Sequence, residues 1–339
     1  FPLGSDSSRP IEREHHDGGE GRSSTGPQRQ ASSGPVRLES GIRPTLARAQ
    51  ARTIEQLAED LAHDRIVLPP LSPLGSELNR LSREPHLEVR EVEALVARDP
   101  GLAAVLLHRT NSTMLRGRRP VTNLRAACLR VGNRGVLALA QEVLLSRAFG
   151  TPTGAFAREG EAMWRNVLLT ARLARLLAEP FGHEDRDEAY LAGLLHNLGE
   201  LVLLRLLDEL PEARGPEGLS PAAQTFLHEH HEAAGARLLQ AWSMPNQLVA
   251  LARNHHELPR HPEANEAKRL RLLVCTAWRG ACEAGAHYVG DRLLPLEPLD
   301  PSSFGMLAQD WRALVADAVR SAHEGDAVPL PDSGPGGDS

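Results

Sequence analysis

Histidine and asparagine side chains able to bind a metal ion or an anionic ligand lie at three places in this sequence. They are His196-Asn197, the run His228-Glu229-His230-His231, and His255-His256. Imidazole nitrogens coordinate transition metals, and protonated ring nitrogens donate hydrogen bonds to anions. Because a buried polar pair needs partners, the groups that face His196 and Asn197 determine what this part of the chain can do.

The stretch that surrounds His196 and Asn197, residues 188–204, predicts a central helix. Apolar side chains recur at helical spacing and also cover the other faces, so we expect the helix to be buried almost all round. Gly193 and Gly199 lie beside the polar pair. Because glycine has no side chain, each is a position where another backbone could approach closely.

The composition of the chain predicts an all-α protein. Of its 339 residues 41% are hydrophobic but only 4% are aromatic, and leucine and alanine dominate over β-branched residues. Three cysteines without a C-x-x-C spacing favour a reducing, cytoplasmic compartment. We find no apolar run of membrane-spanning length and no signal peptide, so no membrane insertion is expected.

Composition and helix signals divide the chain into five parts. Residues 1–43 and 324–339 are rich in polar, glycine and proline residues and predict a disordered arm and a disordered tail. Residues 44–67 predict an amphipathic helix, residues 68–256 the main domain, and residues 257–323 a helical extension. Within the main domain we predict two helical subdomains, 68–150 and 151–256.

Short motifs at the helix junctions follow one another in a fixed order. They are Leu68-Pro-Pro-Leu71, Asp99-Pro100-x-Leu102, Asn111-Ser112, Arg119-Pro120-Val121-Thr122 and Val131-Gly132. Together with the later helices, this order resembles the HDOD domain, the HD-related output domain of bacterial signalling proteins, over about residues 68–256. The resemblance implies an HD-like helical fold and a regulatory role.

The same resemblance assigns the positions at which HD-type phosphohydrolases bind one or two divalent metals. Carried over, those positions are Asn166, His196, Asn197, His231, His255 or His256, and a last one on or near Trp278. The aspartates of the HD pattern fall on Asn197 and Trp278. A neutral amide bridges two hard cations far less well than a carboxylate, so we expect no dinuclear centre and expect Trp278 to fill space.

Three interpretations of His196, His231 and His255 stay open. They can be neutral histidines hydrogen-bonded within the core, or three imidazole ligands of a single zinc ion with an open position. They can also line a pocket that binds a small phosphorylated molecule without hydrolysing it. We expect no bound metal, and if a metal does bind, we expect these three ligands.

An arginine-rich surface is the second candidate site. Residues 100–141 hold seven arginines and no acidic residue, whereas residues 179–233 hold twelve acidic residues and three arginines. The candidates for docking an acidic partner are Arg116, Arg118, Arg119, Asn123 and Arg125, where a loop meets a helix start. The alternative is an ordinary solvated face.

The sequence therefore predicts a non-catalytic, cytoplasmic, bacterial regulatory protein that binds a protein partner in a signalling pathway, or a nucleotide second messenger, without a cofactor. One alternative is a mononuclear metal-dependent phosphohydrolase or phosphodiesterase that uses the remaining histidines. A second is nucleic-acid binding through the arginine-rich surface, which the net charge of −6 disfavours.

Overall fold

The computed structural model describes residues 53–111, 119–149, 154–256, 266–286 and 300–326. These residues are almost entirely helical, and the predicted all-α fold is confirmed. The predicted arm, residues 1–43, lies outside the described residues, as do residues 327–339. The predicted boundary between two subdomains, at residues 150 and 151, also lies outside them, so it stays a prediction.

Helices make up nearly all of the secondary structure in the described residues. They are α1 (Ile54–Ala62), α2 (Pro73–Leu81), α3 (Val89–Val96), α4 (Pro100–Thr110), α5 (Leu124–Phe149), α6 (Ala157–Leu177), α7 (Arg186–Leu195), α8 (Leu198–Asp208), α9 (Pro221–Ala241), α10 (Asn246–Arg253), α11 (Glu266–Glu283) and α12 (Ala308–Asp326). A two-stranded antiparallel ribbon, β1 (Arg214–Gly215) and β2 (Gly218–Leu219), lies between α8 and α9.

Side-chain caps set several helix starts. Asp99 accepts a hydrogen bond from the amide of Leu102 at 2.8 Å, and Pro100 occupies the first turn of α4. Asn123 caps α5 through the amide of Ala126 at 2.8 Å. Of the predicted helix over 44–67, residues 44–52 lie outside the described residues. The described part forms α1, which ends at Ala62, since the chain turns at Asp64, which has a φ of 58°.

The helices enclose two hydrophobic cores. The first core is formed by α2, α3, α4 and one face of α5, and the second by α1, the other face of α5 and the helices from α6 onward. Within α5, Leu139 and Val143 lie in the first core, whereas Ala138 and Leu145 lie in the second. The long helix α5, which bends at Gly132 with a φ of 79°, is therefore shared by both cores.

The predicted central helix is interrupted at its polar pair. Helix α7 ends at Leu195 and α8 begins at Leu198, because Asn197 leaves the helical conformation with φ −124° and ψ 25°. The carbonyl oxygen of Gly193, which an unbroken helix would offer to the amide of residue 197, lies 2.6 Å from Nδ1 of His196. The prediction of one continuous helix over 188–204 is therefore wrong at these two residues.

The two glycines of this region permit close helix contacts, as the sequence predicts. A Cβ atom at Gly193 would lie 2.6 Å from Cα of Ala171 on α6. A Cβ atom at Gly199 would overlap the carbonyl oxygen of His231 and the amide nitrogen of Gly235 on α9. Glycine at these positions lets α7 pack directly on α6 and lets α8 pack directly on α9.

One segment, residues 186–208, is long and apolar enough to cross a membrane by length and composition, contrary to the prediction that no such run exists. The apolar window in it is 89% buried inside the fold. A core helix of a soluble protein has the same composition for a different reason, because it is surrounded by apolar side chains.

A buried ionic network connects α4, α5, α6 and α7. The carboxylate of Glu142 accepts hydrogen bonds from the guanidinium of Arg109 and from the hydroxyl of Tyr190. Nη2 of Arg172 lies 3.8 Å from Oε1 of the same carboxylate. Burial raises the pKa of the Tyr190 phenol far above its ordinary value, so the hydroxyl stays protonated and donates a hydrogen bond to Glu142.

Candidate functional site

Four histidine rings lie together in the second core. His196 follows α7, His231 lies on α9, and His255 and His256 follow α10. Ring centroids are 5.1 Å apart for His196 and His255, 5.2 Å for His231 and His255, 5.0 Å for His231 and His256, and 4.2 Å for His255 and His256. Residues from three separate segments thus form one cluster, which we call the histidine cluster.

Backbone carbonyls within the same helical segments orient three of the four rings. Nδ1 of His196 donates to Gly193 at 2.6 Å, Nδ1 of His231 to Leu227 at 2.8 Å, and Nδ1 of His255 to Ala252 at 3.0 Å. A ring that donates through Nδ1 carries a lone pair on Nε2 when it is neutral. The three rings therefore bring three Nε2 lone pairs into the cluster.

The fourth ring has the opposite tautomer. Nε2 of His231 and Nε2 of His256 are 2.9 Å apart, so His256 donates its Nε2 proton to the lone pair of His231. Among the described residues, Nε2 of His196, Nε2 of His255 and Nδ1 of His256 have no hydrogen-bond partner. An unsatisfied buried polar atom costs about 1–3 kcal/mol, so three in one cluster call for a ligand or water.

All four rings are neutral at pH 7. Burial lowers the pKa of His196 and of His231 to about 4 and that of His256 to about 3, and it holds the pKa of His255 well below its ordinary value. Neighbouring imidazoles act in the same direction, because a positive charge on one ring disfavours charge on the others. Neutral imidazole is the form that binds a metal.

Asn197 is turned toward an acidic neighbour in the same segment. Its Nδ2 donates to Oε2 of Glu200 at 2.5 Å, and both side chains are buried. Glu200 was not singled out by the sequence analysis, although the i, i+3 spacing places it on the same side of the expected helix as Asn197. The amide of Asn197 thus serves as a donor to a carboxylate.

Trp278 on α11 lies against the histidine cluster. Its ring is 4.7 Å from the ring of His256 at an interplanar angle of 75°, which is an edge-to-face contact. Asn166 on α6 lies at another contact, where its Nδ2 donates to the carbonyl of Ala286 at 2.8 Å. The recorded hydrogen bonds of Asn166 join α6 to the end of α11.

Glu232 is a neighbour of the cluster that sequence reasoning missed. Its Oε1 lies 3.3 Å from the backbone nitrogen of His256 and 3.6 Å from Nδ1 of His255. Ligand atoms of His231, Glu232, His255 and His256 all lie within 4.8 Å of one another. No signal in the spacing identifies Glu232, because consecutive residues of a helix do not face the same side.

Residues 68–258 of the chain match a family model, which is described as the HDOD domain. The chain belongs to the HDOD domain family. The resemblance seen in the motif order is thereby confirmed. A relative from Treponema pallidum (strain Nichols), described as an uncharacterized protein, is 30% identical over 216 residues. The match covers 61% of this chain and 41% of that relative.

Solved structures share the HDOD fold over most of the described chain. An HDOD domain protein of unknown function from Geobacter sulfurreducens has a TM-score of 0.60 at 20% identity, covering 80% of this chain and 98% of its own. A protein from Shewanella amazonensis SB2B, provisionally assigned as a metal-dependent phosphohydrolase, has a TM-score of 0.58 at 19% identity, covering 78% and 97%. At these identities the likeness shows the fold alone.

The side chains of this HDOD domain do not fit a dinuclear metal centre. Carboxylates are the ligands that bridge two divalent cations, and the two positions expected to supply them hold Asn197 and Trp278. The Asn197 amide is engaged with Glu200, and Trp278 presents a ring to His256. Imidazoles of this cluster do fit one transition-metal ion, since ligand atoms of His231, His255 and His256, with one from Glu232, lie within 4.8 Å of one another.

The arginine-rich candidate surface of the HDOD domain is described in part. Arg116 and Arg118 lie outside the described residues. Arg119 and Arg125 are exposed, and Asn123 uses its side chain to cap α5. Leu129, one turn after Arg125 on α5, is 78% exposed.

A second group of potential ligands lies away from the histidine cluster. Nε2 of His183 is 3.2 Å from Oε2 of Glu188. Ligand atoms of His183, Glu188 and Glu266 all lie within 4.8 Å of one another. The hydrogen bond to Glu188 raises the pKa of His183. We interpret this group as a histidine–carboxylate pair that joins the loop after α6 to α7.

Proposed function

We propose that this HDOD protein is a non-catalytic regulator that acts by binding a protein partner. The proposal is supported by one feature of the sequence, the presence of Asn197 and Trp278 at or near the positions where the resemblance to HD enzymes expects metal-bridging aspartates. Without those carboxylates the chain has no side chains at these positions to hold a pair of cations around a phosphate ester.

The solved structures with this fold do not distinguish a regulatory role from a phosphohydrolase role. One of them, from Marinobacter aquaeolei VT8, is provisionally assigned to signal transduction, with a TM-score of 0.52 at 21% identity over 80% of this chain and 60% of its own. The Shewanella protein has the phosphohydrolase assignment. The choice therefore depends on the site, and the site favours binding.

The surface proposed for docking combines charge with one exposed apolar side chain. Arg119 is exposed just before α5, and Arg125 and Leu129 are exposed in its first turns. Neither arginine forms an ion pair with another residue in the described part of the chain. An exposed leucine between arginines suits a partner surface with acidic residues around an apolar side chain. We propose an acidic protein partner in the cytoplasm, where three free buried cysteines stay reduced.

Phosphodiester hydrolysis tests the non-catalytic role. The purified chain, supplied in turn with Mn²⁺, Mg²⁺, Fe²⁺ and Zn²⁺, should show no turnover of bis(p-nitrophenyl) phosphate or of cyclic dinucleotides above that of the free metal. An active HD phosphohydrolase assayed in parallel confirms the conditions. Metal-dependent turnover that His196→Ala abolishes would contradict the proposal.

Affinity capture tests the docking surface. A partner captured from the native cell by the wild-type chain should be lost with Arg125→Glu and weakened with Leu129→Ser. Arg90→Glu is a matched control, because Arg90 is an exposed arginine on α3. Capture that is unchanged by both α5 variants would exclude this surface.

A specific observation favours one alternative, a mononuclear phosphohydrolase that uses His196, His231 and His255. Nε2 of His196 and Nε2 of His255 are buried without a hydrogen-bond partner, and neutral imidazole nitrogens are the ligands of three-histidine catalytic zinc sites. The hydrolysis assay distinguishes this alternative, since it predicts zinc-dependent turnover that requires all three histidines.

A further inference from the structure

We propose that the histidine cluster binds one late transition-metal ion, such as zinc, through His231, His255, His256 and Glu232. This set differs from the positions that the HD pattern assigns, because it includes Glu232, uses both His255 and His256, and leaves out Asn166, His196, Asn197 and Trp278. The inference does not rest on the proposed function, since metal can be bound without catalysis.

The relative positions of the side chains are the first step of the argument. One ligand atom from each of the four residues lies within 4.8 Å of the others. Two nitrogens bound to one tetrahedral zinc ion lie about 3.3 Å apart, given a zinc–nitrogen distance of about 2.0–2.1 Å. The pair His231 Nε2 and His256 Nε2, at 2.9 Å, is already near that separation.

The four ligand atoms must still move closer together to bind one ion. The two most accessible residues of the set can supply most of that movement. The side chain of Glu232 is 30% exposed and His256 is only partly buried, so these two have more room to move than the buried His231 and His255. His231 and His255 are buried and keep their ring orientation through Nδ1. Two fixed ligands and two adjustable ones are a suitable arrangement for closing around an ion.

The positions of the ring protons permit the imidazoles to bind a metal ion while all of them stay neutral. His231 and His255 already carry their protons on Nδ1, where the carbonyls of Leu227 and Ala252 hold them, as second-shell acceptors do in metal sites. His256 must move its proton from Nε2 to Nδ1, which frees the Nε2 lone pair. The hydrogen bond between His231 and His256 is then replaced by two metal–nitrogen bonds.

The donor set selects the class of metal. Three neutral imidazoles and one carboxylate suit zinc, copper or nickel, whereas magnesium and calcium require mostly oxygen ligands. His196 lies beside His255, at a ring distance of 5.1 Å, and is outside the group whose ligand atoms lie within 4.8 Å of one another. We therefore expect His196 to influence the site less than His231 or His256.

Titration of the full chain with metal tests the proposal. The protein is stripped with a chelator, dialysed, and titrated with Co²⁺ and Zn²⁺, with visible absorption and calorimetry as readouts. We expect one equivalent to bind, with the intense absorption of four-coordinate Co²⁺, and we expect a large excess of Mg²⁺ not to compete. Zinc should also raise the midpoint of thermal unfolding, since it binds the folded state.

Variants locate the ion. His231→Ala and His256→Ala should each weaken binding at least about tenfold. His108→Ala, a change of an exposed histidine on α4, should leave binding unchanged. Because His231 is buried, circular dichroism must show that its variant is folded, and the partly exposed His256 provides an independent test.

Three results would overturn the inference. They are no stoichiometric binding by the stripped wild type, binding by His231→Ala and His256→Ala that is as tight as that of the wild type, and binding that His183→Ala abolishes instead. A failure of the proposed function looks different, since metal-dependent hydrolysis would contradict the regulatory role while supporting a bound metal.

Discussion

Individual hydrogen bonds to backbone carbonyls set the tautomers of His196, His231 and His255, whereas burial keeps these rings neutral. The convergence of His196, His231 and His255 could be expected through the resemblance to HD enzymes. That His255 and His256 both join the cluster, and that Glu232 lies beside them, could not be expected, because both depend on how the loop after α10 approaches α9. Asn197 donates to Glu200, three residues further along, from the position just before α8.

Acid should destabilise the metal-free chain through the histidine cluster. The pKa of each cluster histidine is lower in the folded state than its ordinary value of 6.5, to about 4 for His196 and His231. The unfolded chain then binds more protons, so stability is full above about pH 6.5 and is lost as the pH falls toward 4. Urea unfolding in EDTA at pH 7.5, 6 and 5 should show a loss of several kcal/mol.

His183 contributes with the opposite sign. Its pKa is raised by Glu188, so its stabilisation is present below pH 6.5 and disappears as the pH rises through the raised value. The four cluster histidines outweigh this single group. Stability that is flat between pH 7.5 and 5 would show that the cluster is hydrated and titrates normally.

Asn197→Asp should destabilise the fold although it restores the aspartate of the HD pattern. The variant loses the amide donor and places a second carboxyl group beside buried Glu200, at a cost of about 3–5 kcal/mol when both are charged. The cost should be smaller at pH 5 than at pH 8, because one carboxyl group can then be protonated. Chemical denaturation at the two pH values measures it.

Asn246→Asp is the control for that change. Asn246 is exposed at the first position of α10, where a negative charge is tolerated by the helix dipole, so the effect should stay within about 0.5 kcal/mol. If Asn197→Asp proves equally neutral, the pairing of Asn197 with Glu200 is wrong.

At the scale of helices, the apolar periodicity of 188–204 predicted a buried helix correctly but missed the break between α7 and α8. Periodicity reports which residues face the core, whereas the break arises from a side chain that takes a backbone carbonyl. The glycines beside the break were predicted as sites of close approach, and they are. Helix caps such as Asp99 could also be predicted from the sequence, because capping is a local interaction.

Two glycine substitutions should separate steric from torsional strain. Gly199→Ala places a methyl group against the backbone of α9 and should cost about 3 kcal/mol or more, since α8 and α9 must move apart. Gly132→Ala meets open space, and its cost of about 1–3 kcal/mol comes from the φ of 79° alone. Denaturant unfolding of both variants checks the order.

The two variants also differ at the cluster. Moving α9 displaces His231, so the proposed metal affinity should fall with Gly199→Ala and stay unchanged with Gly132→Ala. Equal stability of the two proteins would mean that α8 and α9 are less closely packed than described.

At the scale of the whole molecule, composition predicted the all-α class, and the motif order predicted the family. The arrangement of two cores around one helix was beyond sequence reasoning, because contacts across α5 depend on which face each residue takes. The ionic network was also missed. Nothing in their sequence spacing pairs Arg109 with Glu142, which lie 33 residues apart.

Glu142→Gln should destabilise the whole protein by about 3–5 kcal/mol, because it leaves Arg109 and Arg172 buried without a counter-charge. The exposed ion pair of Arg80 and Glu84 is the control, and Glu84→Gln should change stability by less than about 1 kcal/mol. Urea unfolding followed by circular dichroism measures both changes.

Tryptophan fluorescence adds a test of coupling between the cores. All four tryptophans are buried, and none lies in the first core, so fluorescence follows the second core while circular dichroism follows every helix. For the wild type and for Glu142→Gln we expect coincident transitions. Separate transitions would show that the network does not join the two cores into one cooperative unit.

Helix α5 has a consequence for how this protein can diverge over evolutionary time. A volume change at Val143 shifts a rigid helix whose opposite face, at Leu145, fills the other core. Neither core can drift in sequence alone. Homologues that differ on one face of this helix should therefore show matching replacements on the far side, and the two halves should be inherited together instead of being recombined with unrelated domains.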